Sequence, residues 1–360
     1  MLRTLIAAII GCSILSAQSS TEIIAAASRS GIVQLIDPVT LQTVGQLQIL
    51  LQRNSAGLNG ISSDAEGSNL YVEGPIPSDP QGCCSLYAID VRTLSSTIAA
   101  GIPGSSSRSS FLSSDGVTYT ARSLTSSRTI TKMSNDEMHL SSDQRWLFGV
   151  RNFRGPALDV FDLRHGSVVR QLNPTDLQDQ IRASGTWSGD RFLFYVALAG
   201  GRGRLWMVSP ETEQLGPGVE VQPFGEVEGC SRPSIRAIIS AAGAAFLYEP
   251  FGFTDDRRAT CRTSVPGGAW TVDPVSGRLI RQVASDLHFS ALLPGLTGRV
   301  LYGLSTGDAM WTSQVQLVRI DAQDGRILQS HSLNSEFWRI AIVSLRFIPS
   351  GTVSLAVPPE

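Results

Sequence analysis

The densest group of side chains that could do chemistry lies in the segment FGFTDDRRATCR, residues 251–262. Two carboxylates and two guanidinium groups stand in a row between aromatic residues, at Asp255, Asp256, Arg257 and Arg258. Such groups can bind a sugar, a peptide or an anion through charge-assisted hydrogen bonds. The same composition also suits a solvated charge cluster that compensates itself. Trp311 is a further aromatic residue that could contribute to the same ligand-binding surface.

Basic residues recur at the start of apolar strand-like segments. A ring of such donors could hold a carboxylate or a phosphate, or each donor could instead pair with backbone carbonyls and acidic neighbours. The members of this set are Arg108, His139, Arg182, Arg236, His288 and Arg346.

Four cysteines fall in long polar segments of the chain. A disulfide between Cys230 and Cys261 would join two of these segments in an exported protein. Cys83 and Cys84 are adjacent, and they could form a vicinal disulfide, remain thiols or pair elsewhere.

Several familiar catalytic patterns fail the test of their context. Residues 303–307 match G-x-S-x-G, but a nucleophile elbow needs a strand that turns into a helix, and another strand follows here. The four histidines show no paired spacing, so we predict no metal site. We also predict no cofactor, although a quinone is compatible with the sequence, and we assign no catalytic residue.

Composition narrows the class of protein. Of the 360 residues 42% are hydrophobic, and the net charge is −2, so the chain lacks the excess of positive charge that nucleic-acid binding needs.

Residues 1–17 have a basic start, an apolar run and small residues before Gln18, as in a secretory signal peptide. Lipidation of Cys12 is the alternative. We expect export to the periplasm or the extracellular space, and no later segment is apolar enough to span a bilayer.

A sequence pattern typical of a β-hairpin recurs along the chain. Its clearest copy is AWTVDPVSG, residues 269–277, in which an apolar strand ends at an Asp and a turn that contains Pro and Gly leads to a second strand. Adjacent residues before the turn are both apolar, as at Leu35 with Ile36 and Met207 with Val208, which is typical of strands buried on both faces. The other copies end at Asp37, Asp90, Asp162, Ser209 and Asp321, with a weak copy at 127–134.

A second sequence pattern, in which two apolar strands are joined by a short polar turn, alternates with the first. Seven copies of each, at a spacing of about 47 residues, predict an all-β, seven-bladed β-propeller of four-stranded antiparallel blades over residues 18–360. The last copy, 346–357, would complete a blade begun by the N-terminal strand and close the ring. Residues 22–28 and 352–357 compete for the second-strand position of that blade.

The segment TEIIAAASRSGIVQLIDPVTLQTVGQLQI, residues 21–49, resembles the YVTN repeat of YncE-like β-propellers, and residues 84–104 are similar. The resemblance implies an exported binding or surface-layer protein, and it carries over no functional residue.

Ligands of propellers usually meet the face on which the connections 73–82, 219–234 and 249–267 lie. We therefore predict a monomeric binding or scaffold module for a protein, a glycan or a small anionic ligand, with its surface on the sixth and seventh blades. The alternatives are a propeller enzyme, either a lactonase-like hydrolase or a quinoprotein-like oxidoreductase with its site at the channel mouth, and a surface adhesion component.

Overall fold

A computed structural model describes most of the chain between residues 21 and 356. The described residues are 21–28, 30–50, 58, 60–63, 67, 69–74, 85–91, 93, 95–100, 110–112, 118–120, 137–141, 143, 145–152, 155–162, 164, 167–175, 177, 180–198, 202–221, 237–248, 267–305, 314–334, 336–345 and 352–356. Within this part of the chain, no helix has the length and hydropathy to cross a bilayer.

The regular structure of these residues consists of β-strands in consecutive sheets, which we number 1 to 7 along the chain. Sheet 1 contains β1 (Thr21–Ser28), β2 (Ile32–Ile36), β3 (Thr43–Leu50), β26 (Phe337–Leu345) and β27 (Thr352–Ala356). Sheet 2 contains β4 (Gly60–Ser63), β5 (Asn69–Gly74), β6 (Ser85–Asp90) and β7 (Ser95–Ala100), and sheet 3 contains β8 (Ser110–Leu112) and β9 (Thr118–Thr120). Sheet 4 contains β10 (Glu137–Leu140), β11 (Trp146–Arg151), β12 (Ala157–Asp162) and β13 (Ser167–Leu172).

The second half of the chain repeats the same antiparallel four-stranded order. Sheet 5 contains β14 (Gln180–Ser188), β15 (Arg191–Leu198), β16 (Gly203–Val208) and β17 (Val219–Val221). Sheet 6 contains β18 (Ala237–Ala241), β19 (Ala244–Tyr248), β20 (Ala269–Val272) and β21 (Leu279–Val283). Sheet 7 contains β22 (Phe289–Pro294), β23 (Val300–Ser305), β24 (Gln314–Asp321) and β25 (Ile327–Asn334).

Successive sheets pack face to face, with their first strands next to one another. Strand β26 contacts β4 and β22, β18 contacts β14 and β22, and β10 contacts β8 and β14. Consecutive antiparallel four-stranded sheets arranged in this way make the fold a β-propeller. We call the end of each sheet that carries the Asp turn the lower end, and the opposite end the upper end.

The core lies between the sheets rather than on one side of them. In β1, Ile23 and Ala25 pack towards sheet 2, whereas Ile24 and Ala26 pack towards sheet 7. In β15 the alternation is the same between sheets 4 and 6. The predicted burial on both strand faces is therefore confirmed for Leu35 and Ile36.

The same prediction is wrong for Met207, whose side chain is 46% exposed. The reason is the short outer strand of sheet 5. Strand β17 pairs with β16 only from Gly203 to Leu205, so no strand lies alongside Met207 on the outer side.

The terminal strands are arranged differently from the expectation. Strand β1 takes the second position of sheet 1, with Thr21 opposite Leu345 of the innermost strand β26. The innermost strand of sheet 1 is thus 337–345, and not the first part of residues 346–357, which had been predicted as the last copy of the second sequence pattern. Strand β27 instead adds to the outer edge of the sheet, parallel to β3. Burial accounts for the choice, because six consecutive residues of β1 are buried, whereas β27 alternates between exposed and buried positions.

Candidate functional site

The upper end of sheet 6 carries a much longer connection between second and third strands than most of the other sheets. Strand β19 ends at Tyr248 and β20 begins at Ala269. Residues 29–31, 152–156 and 199–202 make the same connection in sheets 1, 4 and 5. Of the long connection, the structure describes the last two residues, Gly267 and Gly268.

These two glycines form a tightly packed base for the connection. The backbone N–H of Gly268 donates to the carbonyl of Leu287 at 2.5 Å, and the side chain of Gln282 donates to the carbonyl of Gly267 at 2.8 Å. Gly268 has a φ of 80°, and a Cβ atom there would lie 2.2 Å from the carbonyl oxygen of Val283. Only glycine fits this position without displacing backbone.

The partner of this base is the short connection that leads from sheet 6 into sheet 7. Its residue Leu287 donates through its N–H to the carbonyl of Ala284 at 3.0 Å. Ser285 and Asp286 are exposed, and the Ser285 hydroxyl donates to Asp286 at 3.2 Å. His288 follows, half-buried, immediately before β22. The long connection of sheet 6 and the entry to sheet 7 therefore share one hydrogen-bonded corner, which we call the 6/7 corner.

Two of the predicted basic donors lie at upper strand ends. His288 belongs to the 6/7 corner. Arg182 lies near the upper end of β14, paired with Ala197, and β14 contacts β18 of sheet 6. The remaining site predictions lie outside the described residues: Arg108, Arg236, Arg346, Asp255, Asp256, Arg257, Arg258, Trp311, Cys83, Cys84, Cys230 and Cys261.

His139 was predicted as one of a ring of basic donors at strand starts, but the structure places it in the core. It is the third residue of the four-residue strand β10, close to the lower turn, and its side chain is only 8% exposed. Its ring lies 5.3 Å from the ring of Phe192, in an aromatic cluster with Phe148 and Trp187. Strand β10 begins at Glu137, two residues before His139, so the histidine does not start the strand, and its ring packs into the core between sheets 4 and 5.

The serine of the G-x-S-x-G match is also a core residue. Ser305 is the last residue of β23, is 2% exposed and pairs with Gln316 in the next strand. This strand pairing explains why the motif has no elbow.

Sequence reasoning missed Asn152, at the upper end of sheet 4. Its side chain accepts a hydrogen bond from the N–H of Ala183 at 2.5 Å and donates one to the Ala183 carbonyl at 3.2 Å. The amide thereby satisfies both backbone groups of a residue on the innermost strand of sheet 5. No local signal distinguishes this asparagine from others in connecting segments.

The lower end carries carboxylates held by backbone donors. Asp321 accepts from the N–H groups of Gln323 and Asp324 at 2.7 and 2.9 Å. The Asp324 N–H, followed by that of Gln323, lowers the pKa of Asp321 below its usual range. Hydrogen bonds from Thr40 and Val39 likewise lower the pKa of Asp37. These two carboxylates organise the turns at the lower ends of sheets 1 and 7.

In the part of the chain that the structure describes, no group of three or more His, Cys, Asp or Glu residues is placed to hold a metal ion.

The chain is similar to several solved structures. It resembles dihydro-heme d1 dehydrogenase NirN in complex with DHE at 14% identity and a TM-score of 0.49, over 88% of this chain and 74% of that one. For hydrazine synthase of Kuenenia stuttgartiensis the values are 14%, 0.40, 58% and 52%, and for the Dos1 propeller they are 13%, 0.41, 77% and 61%. No family model and no curated protein matches the chain. The assignment to the β-propellers rests on the sheets themselves.

Proposed function

We propose that this protein is an exported, seven-bladed β-propeller that binds a protein, a glycan or a small anionic ligand at the 6/7 corner. The observation that carries the proposal is the corner itself. The longest connection between strands of sheet 6 returns to the scaffold through two glycines that are hydrogen-bonded to the entry of sheet 7. Binding loops are characteristically long segments held on such a rigid base.

The contacts between sheets support a closed ring of seven blades. Sheet 1 lies between sheets 2 and 7, because β26 contacts both β4 and β22. The first strands of sheets 3 to 7 then contact one another in chain order, and β7 of sheet 2 contacts β9 of sheet 3. Export is supported by the signal-peptide pattern of residues 1–17. The repeat-level resemblance to YncE-like propellers agrees with both features.

The entry to sheet 7 brings polar side chains to the 6/7 corner. Ser285, Asp286 and His288 offer donors and acceptors beside the point where the segment with Asp255 to Arg258 rejoins the sheet. A ligand rich in hydroxyl or carboxylate groups would use such partners.

The test is a thermal-shift screen of the mature chain from Gln18. The probes are neutral oligosaccharides, sugar phosphates, dicarboxylates and acidic peptides. A probe present at about 100 times its Kd would stabilise the folded state by about 2.7 kcal/mol.

Two variants locate the site. Replacement of residues 250–266 by a short Gly–Ser linker should abolish the stabilisation. The same replacement of residues 76–83, in the connection of sheet 2, should preserve it. A probe that still stabilises the 250–266 variant would contradict the proposed site. Conversion of a probe to a product would instead support the propeller-enzyme alternative.

A further inference from the structure

An aromatic side chain lies at the 6/7 corner beside its polar groups. Tyr248 is the last residue of β19 and pairs with Ala269 of β20, at the upper end of sheet 6. Side chains alternate along β19, so that Leu247 packs towards sheet 5, whereas Phe246 and Tyr248 pack towards sheet 7. The side chain of Tyr248 is half-buried, so part of its surface is accessible to a ligand.

The entry to sheet 7 passes the same end of sheet 6 on the same side. Ala284 and Leu287 pack, like Tyr248, against the core between sheets 6 and 7. Gly268, the residue before β20, donates its N–H to the carbonyl of Leu287. Asp286 is exposed in the turn between Ala284 and Leu287. The aromatic ring and the carboxylate are thus both held at the 6/7 corner.

The backbone of this turn is fixed by its own conformation and by the glycine base. Ala284 has a φ of 50°, in the left-handed region that alanine rarely adopts. A Cβ atom at Gly267 would lie 2.5 Å from the carbonyl oxygen of Ser285, so the base packs directly against the turn. The Ser285 hydroxyl orients the carboxylate of Asp286 through its hydrogen bond. A ligand at this corner meets groups whose conformational freedom is already restricted, which favours affinity.

Charge decides which class of ligand suits the described residues of the corner. They include one carboxylate, Asp286, and no lysine or arginine. Arg281 of the neighbouring strand donates instead to the carbonyl of Gln323, at the lower end of sheet 7. A carboxylate accepts hydrogen bonds and repels other anions. These residues therefore favour a ligand with neutral hydrogen-bond donors over a phosphate or a carboxylate.

A neutral saccharide has the chemistry that this combination of groups fits. One face of a pyranose ring consists of C–H groups, which pack well against an aromatic ring such as that of Tyr248. The rim of the sugar carries hydroxyl groups, which donate strong hydrogen bonds to a charged acceptor such as Asp286. The imidazole of His288 and the hydroxyl of Ser285 are further polar groups beside them. An apolar platform with a few fixed polar groups is the usual composition of a small-molecule site.

We propose that the 6/7 corner binds a neutral saccharide, with Tyr248 against its C–H face and Asp286 as the acceptor for its hydroxyl groups. This inference rests on the proposed function and narrows its three ligand classes to one. Tyr248 thereby becomes part of the site, and Asp286 selects against anions.

The first test is isothermal titration calorimetry of the mature chain with β-1,4-linked tetramers of glucose, mannose, galactose and N-acetylglucosamine. We expect at least one tetramer to bind, with a Kd that changes less than about 2-fold between about 50 and about 500 mM NaCl, since screening hardly affects a neutral ligand. If no tetramer binds, while trigalacturonate or an acidic peptide binds and is lost in the 250–266 replacement, the saccharide inference fails and the binding function stands. If no probe binds at all, both fail.

The second test uses the sign of the effect of Asp286→Asn on the Kd of the tetramer that binds. The amide keeps the shape of the side chain but removes its charge, so the Kd for a neutral saccharide should rise about 10-fold. For an anionic ligand the same change removes a repulsion and should lower the Kd. Asp190→Asn, at the exposed turn between β14 and β15, is the matched control and should leave the Kd unchanged. An unchanged or lower Kd for Asp286→Asn would overturn the proposal.

The third test asks whether the aromatic ring is used. Tyr248→Phe keeps the ring and should bind the tetramer within about 3-fold of the wild type, whereas Tyr248→Leu should raise the Kd about 5- to 10-fold. Leucine preserves an apolar contact with the core between sheets 6 and 7, and the thermal midpoint without ligand checks that both variants fold. Equal affinities of two folded variants would exclude Tyr248 as the platform and overturn the proposal.

Discussion

The hydroxyl of Tyr302 donates a 2.7 Å hydrogen bond to Oε1 of Glu22, and this contact joins sheet 7 to strand β1 of sheet 1. The other carboxylate oxygen of Glu22 accepts from the N–H of Leu296 at 2.7 Å. Burial, followed by the bond to Glu22, raises the pKa of Tyr302 well above its ordinary value. One carboxylate thus fixes the lower end of β1 to two elements of the neighbouring sheet.

Tyr302→Phe should lower the free energy of unfolding by about 1.5–3 kcal/mol, because the phenol donates to a charged acceptor and is almost fully buried. A double-mutant cycle with Glu22→Ala, measured by chemical denaturation, isolates the pair. Additive effects of the two substitutions would contradict a direct interaction.

The same pair predicts a dependence on alkaline pH. A folded-state pKa raised above the unfolded value contributes stability that is complete below about pH 10 and is lost as pH rises through the folded-state pKa. The difference in stability between the wild type and Tyr302→Phe should therefore be constant to about pH 9 and shrink above pH 10.

Asp37→Ala should lower stability by about 1 kcal/mol at pH 7, because the carboxylate accepts from the N–H groups of Val39 and Thr40 at 2.9 and 2.7 Å. The pKa of Asp37 is depressed, so this contribution is present above about pH 4 and is lost as pH falls through the folded-state pKa. The measurement is the midpoint of thermal unfolding from pH 7 to pH 2. Asp190→Ala, at an exposed turn between β14 and β15, is the control and should change little. A gap between wild type and Asp37→Ala that persists at pH 2 would contradict the assignment.

The Asp turns were predictable from sequence because their physics is local. Asp273 accepts from the Val275 N–H at 3.0 Å and the Ser276 hydroxyl at 2.6 Å, within four residues of chain. The inner hairpins of sheets 4 to 7 were predictable for the same reason. The position of β27 was not, because β1 and β27 both carry strand patterns and only competition for buried contacts separates them.

The functional predictions depended more on details that a sequence pattern does not contain. His139 was misplaced because its distance from the next turn could not be counted until the length of β10 was known. The glycines of the 6/7 corner had a visible signal, the pair Gly267 and Gly268 at the end of a long polar segment. Their hydrogen bond to Leu287 links two different hairpins, and no local rule predicts such a pairing.

Two glycines with similar φ angles allow the cost of a strained backbone conformation to be distinguished from the cost of a steric clash. Gly277 and Gly243 have similar positive φ angles, 70° and 74°. A Cβ at Gly277 would lie 2.1 Å from the carbonyl oxygen of Glu220, whereas at Gly243 nothing lies within 4 Å. Gly243→Ala should cost about 1 kcal/mol, and Gly277→Ala should cost about 2 to 4 kcal/mol in unfolding free energy. Equal losses would show that the approach of sheet 5 to this turn is unimportant.

Arg281→Met should weaken the junction between sheets 6 and 7, because the Arg281 guanidinium donates to the carbonyl of Gln323. Methionine keeps an unbranched chain of similar length, so the loss reports the hydrogen bond, about 0.5–1.5 kcal/mol. Arg278→Met, at an exposed position of the same hairpin, is the matched control. If denaturation shows equal losses for both variants, the hydrogen bond from Arg281 to Gln323 does not contribute to stability.

The pairing of Thr21 with Leu345 limits when sheet 1 can form during synthesis of the chain. Strand β1 ends at Ser28 and its partner β26 begins only at Phe337, so about 310 residues are synthesised between them. At about 5 to 20 residues per second, roughly 15 to 60 s separate the two. During that interval Ile23 and Ile24 have no inner strand to cover them, so sheet 1 cannot be completed before β26 has been synthesised. For a protein that is exported as proposed, this delay favours passage across the membrane before folding.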